Sequence, residues 1–190
     1  MSATEVVEEK IKEFTSRWAS NKMLEPRVAK VVINMGVGAS GERLEKAAKL
    51  LEQLAGQKPS IRRAKRTIKE FNIKKGEPIA VAVTLRGSRA LEFLDKALTA
   101  IGRRIKYSSF DDYGNVSFGI KEHIVLPGAK YDPDIGIFGM DVTVKLERPG
   151  YRVMRRRRCR SSIPRRHRVS REEAAVFFMT KLGVKVVGFG

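Results

Sequence analysis

The sequence predicts an α+β fold: a mainly antiparallel open sheet with helices on one face, an open polar face opposite, and a basic C-terminal extension. Three observations carry this. Segments 28–35, 79–86, 116–126 and 140–147 alternate apolar and polar residues with period two, as half-buried strands do. Around them, apolar residues recur at three- and four-residue intervals, as on one face of a helix. From Arg148 to Arg171 the chain holds eleven arginines and no acid. The predicted organisation is a single α+β domain over 1–147, then an arginine-rich arm and a short helix over 148–190 that packs back on it.

In chain order, Ser2-Ala3-Thr4-Glu5 has capping-box spacing, and Val7, Ile11, Phe14 and Trp18 follow on one helical face. Pro26 ends that pattern. Val31, Ile33 and Met35 then point one way, with Lys30, Val32 and Asn34 opposite. Ser40 is placed to cap a second helix with Leu44, Ala48, Leu51 and Ala55 inward, stopped by Gly56. Lys75-Gly76 reads as a turn into a strand with Ala80, Ala82, Thr84 and Arg86 outward, and Ser88 opens a helix burying Leu91, Leu94, Leu98, Ile101 and Ile105. Val116, Phe118, Ile120, Ile124 and Leu126 share one strand parity broken by Glu122, which reads as a bulge and leaves His123 outward. Residues 127–139 form a turn-rich connection. Met140, Val142, Val144 and Leu146 complete the sheet, with Asp141, Thr143, Lys145 and Glu147 outward. Ser170 and Glu173 repeat capping-box spacing before a helix through Ala174, Phe178 and Leu182. The run Val184–Val187 adds an edge strand or docks the terminus.

At 190 residues and 42% hydrophobic content, the chain can close one good core. Removing the arm's arginines from the formal charge of +18 leaves +7 elsewhere, so the body is ordinarily basic. One cysteine, Cys159, excludes an internal disulfide, and the isolated His123 and His167 make no metal cluster. No apolar run approaches the roughly 20 residues of a membrane span, and an acidic, amphipathic start is unlike a signal peptide; a cytoplasmic protein is expected.

Every fixed cation of the 148–171 stretch is Arg, whose planar fork holds phosphate oxygens bidentately and stacks on bases. Arg152, Arg155, Arg156, Arg157, Arg158, Arg160, Arg165, Arg166 and Arg168 are therefore candidate phosphate contacts. Residues 155–160 have no hydrophobic face to bury, which predicts an extended arm ordered by phosphates; a basic tail or localisation signal is the alternative. A second acid-free patch, Gln57–Lys69, contains Lys58, Arg62, Arg63 and Lys65, and reads as a strand edge along a phosphate backbone or as a solvated face. Tyr107, Ser108, Ser109, Phe110, Tyr113, Gly114 and Asn115 form an aromatic loop with Asp111 and Asp112. Its rings either fold back or dock outward. Replacing Ser108 to Gly114 by a flexible linker removes no predicted core position, so the body is expected to stay folded. The outward sheet face, with Lys30, Asn34, Ala80, Thr84, Arg86, Ser117, Gly119 and Lys121, carries no aromatic. Small and hydrogen-bonding side chains suit recognition of a structured RNA by backbone and 2′-hydroxyl shape, not base stacking.

Gly36-Val37-Gly38-Ala39-Ser40-Gly41 matches the dinucleotide fingerprint between a strand and a helix. No acid lies between Glu52 and Glu70, where a ribose-binding carboxylate belongs, and the chain lacks repeated strand-helix alternation. A flexible turn is the preferred reading. No catalytic residue, cofactor or metal is assigned.

Val31-Val32-Ile33-Asn34-Met35-Gly36-Val37-Gly38, Gly56-Gln57-Lys58-Pro59, Val83-Thr84-Leu85-Arg86-Gly87, and Asp112-Tyr113-Gly114-Asn115 with Ser117-Phe118-Gly119 occur in this order. As a set they resemble the universal L-five family of large-subunit ribosomal proteins, and the arginine-rich extension resembles its archaeal and eukaryotic branch. The resemblance implies a structural constituent of the central protuberance, with Asn34, Gln57 and Thr84 contacting 5S ribosomal RNA and the 107–115 loop reaching peptidyl-site transfer RNA. It further implies contact with large-subunit ribosomal RNA, with neighbouring central-protuberance proteins, and with a small-subunit head protein across the intersubunit bridge.

Overall fold

The computed structural model describes residues 3–38, 40–129 and 132–188, with side chains from residue 7 onward. The capping box at Ser2–Glu5 lies outside the described side chains. In chain order the elements are α1 (Ala3–Ser20), β1 (Arg27–Gly36), α2 (Glu42–Ala55), β2 (Ser60–Arg63), β3 (Pro78–Leu85), α3 (Ser88–Ala100), β4 (Arg104–Lys106), β5 (Asn115–Ile120), β6 (Met140–Glu147), α4 (Arg171–Leu182) and β7 (Lys185–Val187). Five strands form a sheet in the order β2-β3-β1-β6-β5, and β4 pairs with β7 separately. Antiparallel pairing of β1 with β3 and of β2 with β3, together with the helices, makes this the predicted α+β fold. The chain divides into two compact units, residues 30–100 with 118–143, and residues 1–29 with 101–117 and 144–190.

In the first of these units, period-two patterning does what the sequence requires. Val31, Ile33 and Met35 on β1 pair with Leu85, Val83 and Val81 on β3, and all six are buried. Burying such side chains contributes about 1.5–3 kcal/mol each against conformational entropy. Helix α2 packs on β3 and buries Leu44, Ala47, Leu50, Leu51 and Ala55, ending where Gly56 takes φ +61°. Ala47, rather than the expected Ala48, faces inward, because Leu50 and Leu51 set the centre of the apolar stripe. Ser40 is not the cap: Gly41 occupies that position, and the Ser40 hydroxyl donates to Glu77 Oε1 at 2.8 Å. Helix α3 buries Ala90, Phe93, Leu94, Ala97 and Leu98 and leaves Leu91 half-exposed, because Phe93 and the small Ala90 and Ala97 turn its inner face away from that leucine.

The bulge expected at Glu122 is instead the end of β5 at Ile120, followed by a 3-10 turn over His123–Val125. Strand parity lapses there, and His123 is buried, not outward. Its Nδ1 accepts the Phe138 backbone N–H at 3.3 Å.

In the other unit, Phe14 and Trp18 on α1 meet α4, with Trp18 edge-on to Phe177 at 6.3 Å. Residues Glu173 to Phe178 are all buried, so α4 is enclosed on nearly every side and not merely amphipathic. The Ser170 hydroxyl accepts the Glu173 N–H at 3.2 Å, confirming that cap, and Gly183 at φ +62° ends the helix. The terminal apolar run forms β7, parallel to β4, with Ile105 opposite Val186. Ile105 therefore belongs to a strand and not to α3, which stops at Ala100 before left-handed Gly102 and Arg103.

Candidate nucleic-acid interface

The polar sheet face is built from register. Ser60 and Asn34 flank Ala82, and Arg62 and Gly36 flank Ala80, so two rows cross β2, β3 and β1 with a small residue in the middle strand. The central trough brings Asn34, Ser60 and Arg62 to its sides. Ala82, expected outward, is buried at 5% exposure, because its neighbours are larger and the Ser60 hydroxyl donates to its carbonyl at 3.0 Å. Beyond β1, an open groove is lined by Asn34, Gly36, Gly119, Lys121 and Asp141.

Lys30, Asn34 and Thr84 are half-buried, while Gln57, Lys58, Arg62, Arg63, Lys65 and Arg86 are exposed. The Gln57 side-chain amide lies 3.5 Å from the Thr84 carbonyl, which gathers two sequence-distant site residues at one place. Strand β2 is one of the two outer strands of the sheet and is exposed along its length, so Arg62 and Arg63 sit on a basic edge.

The fingerprint loop is unsuited to a dinucleotide. Its Val37 and Gly38 N–H groups both donate to the Ile79 carbonyl at 3.0 Å, consuming donors that a pyrophosphate would need. The Lys74 backbone N–H and the Ser40 hydroxyl hold the Glu77 carboxyl below its ordinary range, so a carboxylate stands beside the loop.

The 107–115 loop is folded around Asp111. The carboxylate accepts the backbone N–H groups of Tyr113 and Asn115 at 2.9 and 2.6 Å and the Asn115 side-chain amide, an Asx arrangement that fixes the turn. Phe110 is 2% exposed and meets Phe178 edge-on at 5.6 Å, and Gly114 is buried at φ +73°, where a Cβ would lie 2.7 Å from Val169 Cβ. Phe110 and Gly114 are thus core positions, which corrects the expectation that the loop holds no core. Tyr107 is half-buried, with the Arg171 guanidinium 4.4 Å from its ring centre, and Ser109 is half-buried too. Tyr113, 60% exposed, and Ser108 face solvent.

The arginine-rich stretch combines anchored flanks with an exposed centre. Tyr151, Ile163 and Val169 are buried, and 3-10 turns occupy Tyr151–Met154 and Arg165–His167. Arg155 through Arg160 are exposed, as their composition requires. This is a folded strap, in place of the expected extended arm, because apolar residues outside the arginine cluster hold it down. Two acids at its borders also temper it. Arg155 pairs with Glu147, which is consequently 6% exposed and not outward as parity implies. Arg148 pairs with Glu173 in the interior. This last pair is hidden in the sequence because Glu173 fits a capping box so well. Among the described residues, no helix is long and apolar enough to cross a membrane, and no cluster of metal-ligating residues occurs.

Comparison with known proteins accounts for nearly the whole chain. The Ribosomal protein L5 family matches residues 21–74, and the C-terminus of the same ribosomal family matches residues 78–177. The large ribosomal subunit protein uL5 of Aeropyrum pernix is 56% identical over 180 residues, 94% of each chain. Its counterpart in Pyrobaculum aerophilum is 62% identical over 159 residues, 84% of this chain and 89% of that one. That of Methanococcoides burtonii is 50% identical over 167 residues, 88% of this chain and 99% of that one. These matches agree with the non-enzymatic reading of the sequence. Two adjoining family matches and identities of this size across almost all the residues place the chain in the ribosomal protein L5 family.

Proposed function

We propose that this protein is a structural constituent of the large ribosomal subunit in the cytoplasm, holding 5S ribosomal RNA on the polar face of its sheet. The observation that carries this is the small-residue trough between Asn34 and Ser60, with Gln57 drawn against Thr84 and a row of exposed cations along β2. Lys30, Asn34, Gln57 and Thr84 supply hydrogen bonds to sugar and phosphate, and Lys58, Arg62, Arg63, Lys65 and Arg86 neutralise the backbone. The exposed part of the 107–115 loop, Ser108 and Tyr113 foremost, contacts peptidyl-site transfer RNA. The exposed arginines of the strap meet large-subunit ribosomal RNA, and neighbouring protuberance proteins and a small-subunit head protein complete the set of partners.

The test is binding of purified protein to 5S RNA with Asn34→Ala and Thr84→Ala variants. Each variant is expected to lose about 1–3 kcal/mol of affinity if it leaves a buried polar partner unpaired. Binding curves superimposable on the native one, at matched folding stability, would move the RNA site off this face.

A further inference from the structure

We infer that a cavity between the Tyr113 loop and the arginine strap receives one unstacked RNA nucleotide, its base against apolar walls and its phosphate on arginines. The inference rests on the RNA-binding function proposed above. The cavity measures about 590 Å³, within the range of small-molecule sites, and no acid lines it. Its apolar surface comes from Tyr151, Met154 and Ile163, and its cations from Lys145, Arg160 and Arg168.

The site is held in shape before any ligand arrives. The chain reverses at Cys159, whose φ is +49°, so that the Ser161 N–H donates to the Val153 carbonyl at 3.3 Å. Arg168 Nε donates to the Ile163 carbonyl at 3.1 Å, and its guanidinium lies 5.7 Å from the centre of the Tyr113 ring. The Tyr113 backbone is in turn fixed by Asp111. A phosphate alone would not require the apolar lining, and a neutral apolar side chain would leave the cavity's arginines uncompensated. A nucleotide satisfies both, with a flat base for the rings and an anion for the arginines. The Ser161 and Ser162 hydroxyls line the same cavity and can bond a base edge.

The test uses the full chain and two single-stranded RNA pentanucleotides, identical except that one has an abasic central ribose, compared by fluorescence anisotropy at one salt concentration. The native protein should bind the abasic strand roughly tenfold more weakly, the scale of one base-aromatic stack. Ser162→Trp fills the cavity without changing charge, and should erase that difference while leaving the urea-unfolding midpoint unchanged. Displacement of the pentanucleotide by transfer RNA, by 5S RNA or by total large-subunit RNA identifies which supplies the nucleotide. Equal affinity for the two strands, discrimination that survives Ser162→Trp, or displacement by none of the three RNAs would overturn the inference. If the native protein discriminates the strands yet binds no 5S RNA, the cavity stands and the 5S assignment falls.

Discussion

Arg148 Nη2 donates to both carboxylate oxygens of Glu173, at 2.6 and 2.5 Å, with the two side chains 3% and 2% exposed. Trp18 Nε1 donates to the same carboxylate at 3.0 Å, so one buried ion pair ties α1, α4 and the start of the arginine strap. Removing one partner leaves an uncompensated buried charge. Arg148→Ala is therefore expected to cost about 3–5 kcal/mol in urea unfolding, whereas Arg148→Met combined with Glu173→Met should recover most of that loss. A double variant no more stable than the single one would show that the charges themselves are required.

The loop divides into core and surface. Phe110→Ala should destabilise by about 3–5 kcal/mol, and Gly114→Ala should also destabilise through its positive φ and the clash with Val169. Tyr113→Ala should leave the unfolding midpoint in place while reconstituted subunits hold peptidyl-site transfer RNA less firmly. Unfolding of the Tyr113 variant, or native stability of the Phe110 variant, would reverse this division.

For the strap, the salt dependence of RNA affinity separates free cations from paired ones. Replacing Arg156, Arg157 and Arg158 by Ala should lower the log-log salt slope by about one unit for each phosphate no longer neutralised. Arg155→Ala should lower it less, because Glu147 already pairs with that guanidinium. Equal effects at Arg155 and its neighbours would mean that RNA displaces the intramolecular pair.

Burial raises the Tyr151 hydroxyl above its ordinary value, against weaker opposing effects from a backbone hydrogen bond and nearby arginines. The folded state thus holds this proton more tightly than the unfolded state. Its contribution is complete below the ordinary tyrosine pKa of about 10 and is lost as pH rises through the raised value. The stability difference between the native protein and Tyr151→Phe should accordingly narrow as pH rises above about 10, measured by urea unfolding. A constant difference across that range would assign the shift no energetic weight.

What could be read in the sequence was whatever local periodicity imposes. The alternation of β1, β3 and β6 placed Val31, Ile33, Val83 and Val142 inside, since a strand with one buried face has only one register that hides its apolar set. Gly56 and Gly183 marked helix ends because both take the left-handed conformation. The arginine density and the motif set pointed to RNA and to the family without any coordinates.

Long-range contact decided the rest. Nothing near His123 in sequence shows that β5 stops at Ile120 and that the Phe138 backbone N–H reaches the ring nitrogen. Nothing near Phe110 shows that Phe178, far along the chain, supplies its packing partner. Arg148 resembles its ten neighbouring arginines in composition, yet it alone of the run is fully enclosed, because α4 brings Glu173 to it. Charge and period are properties of a segment and survive in isolation, whereas burial and ion pairing belong to two segments at once, and only the folded chain brings them together.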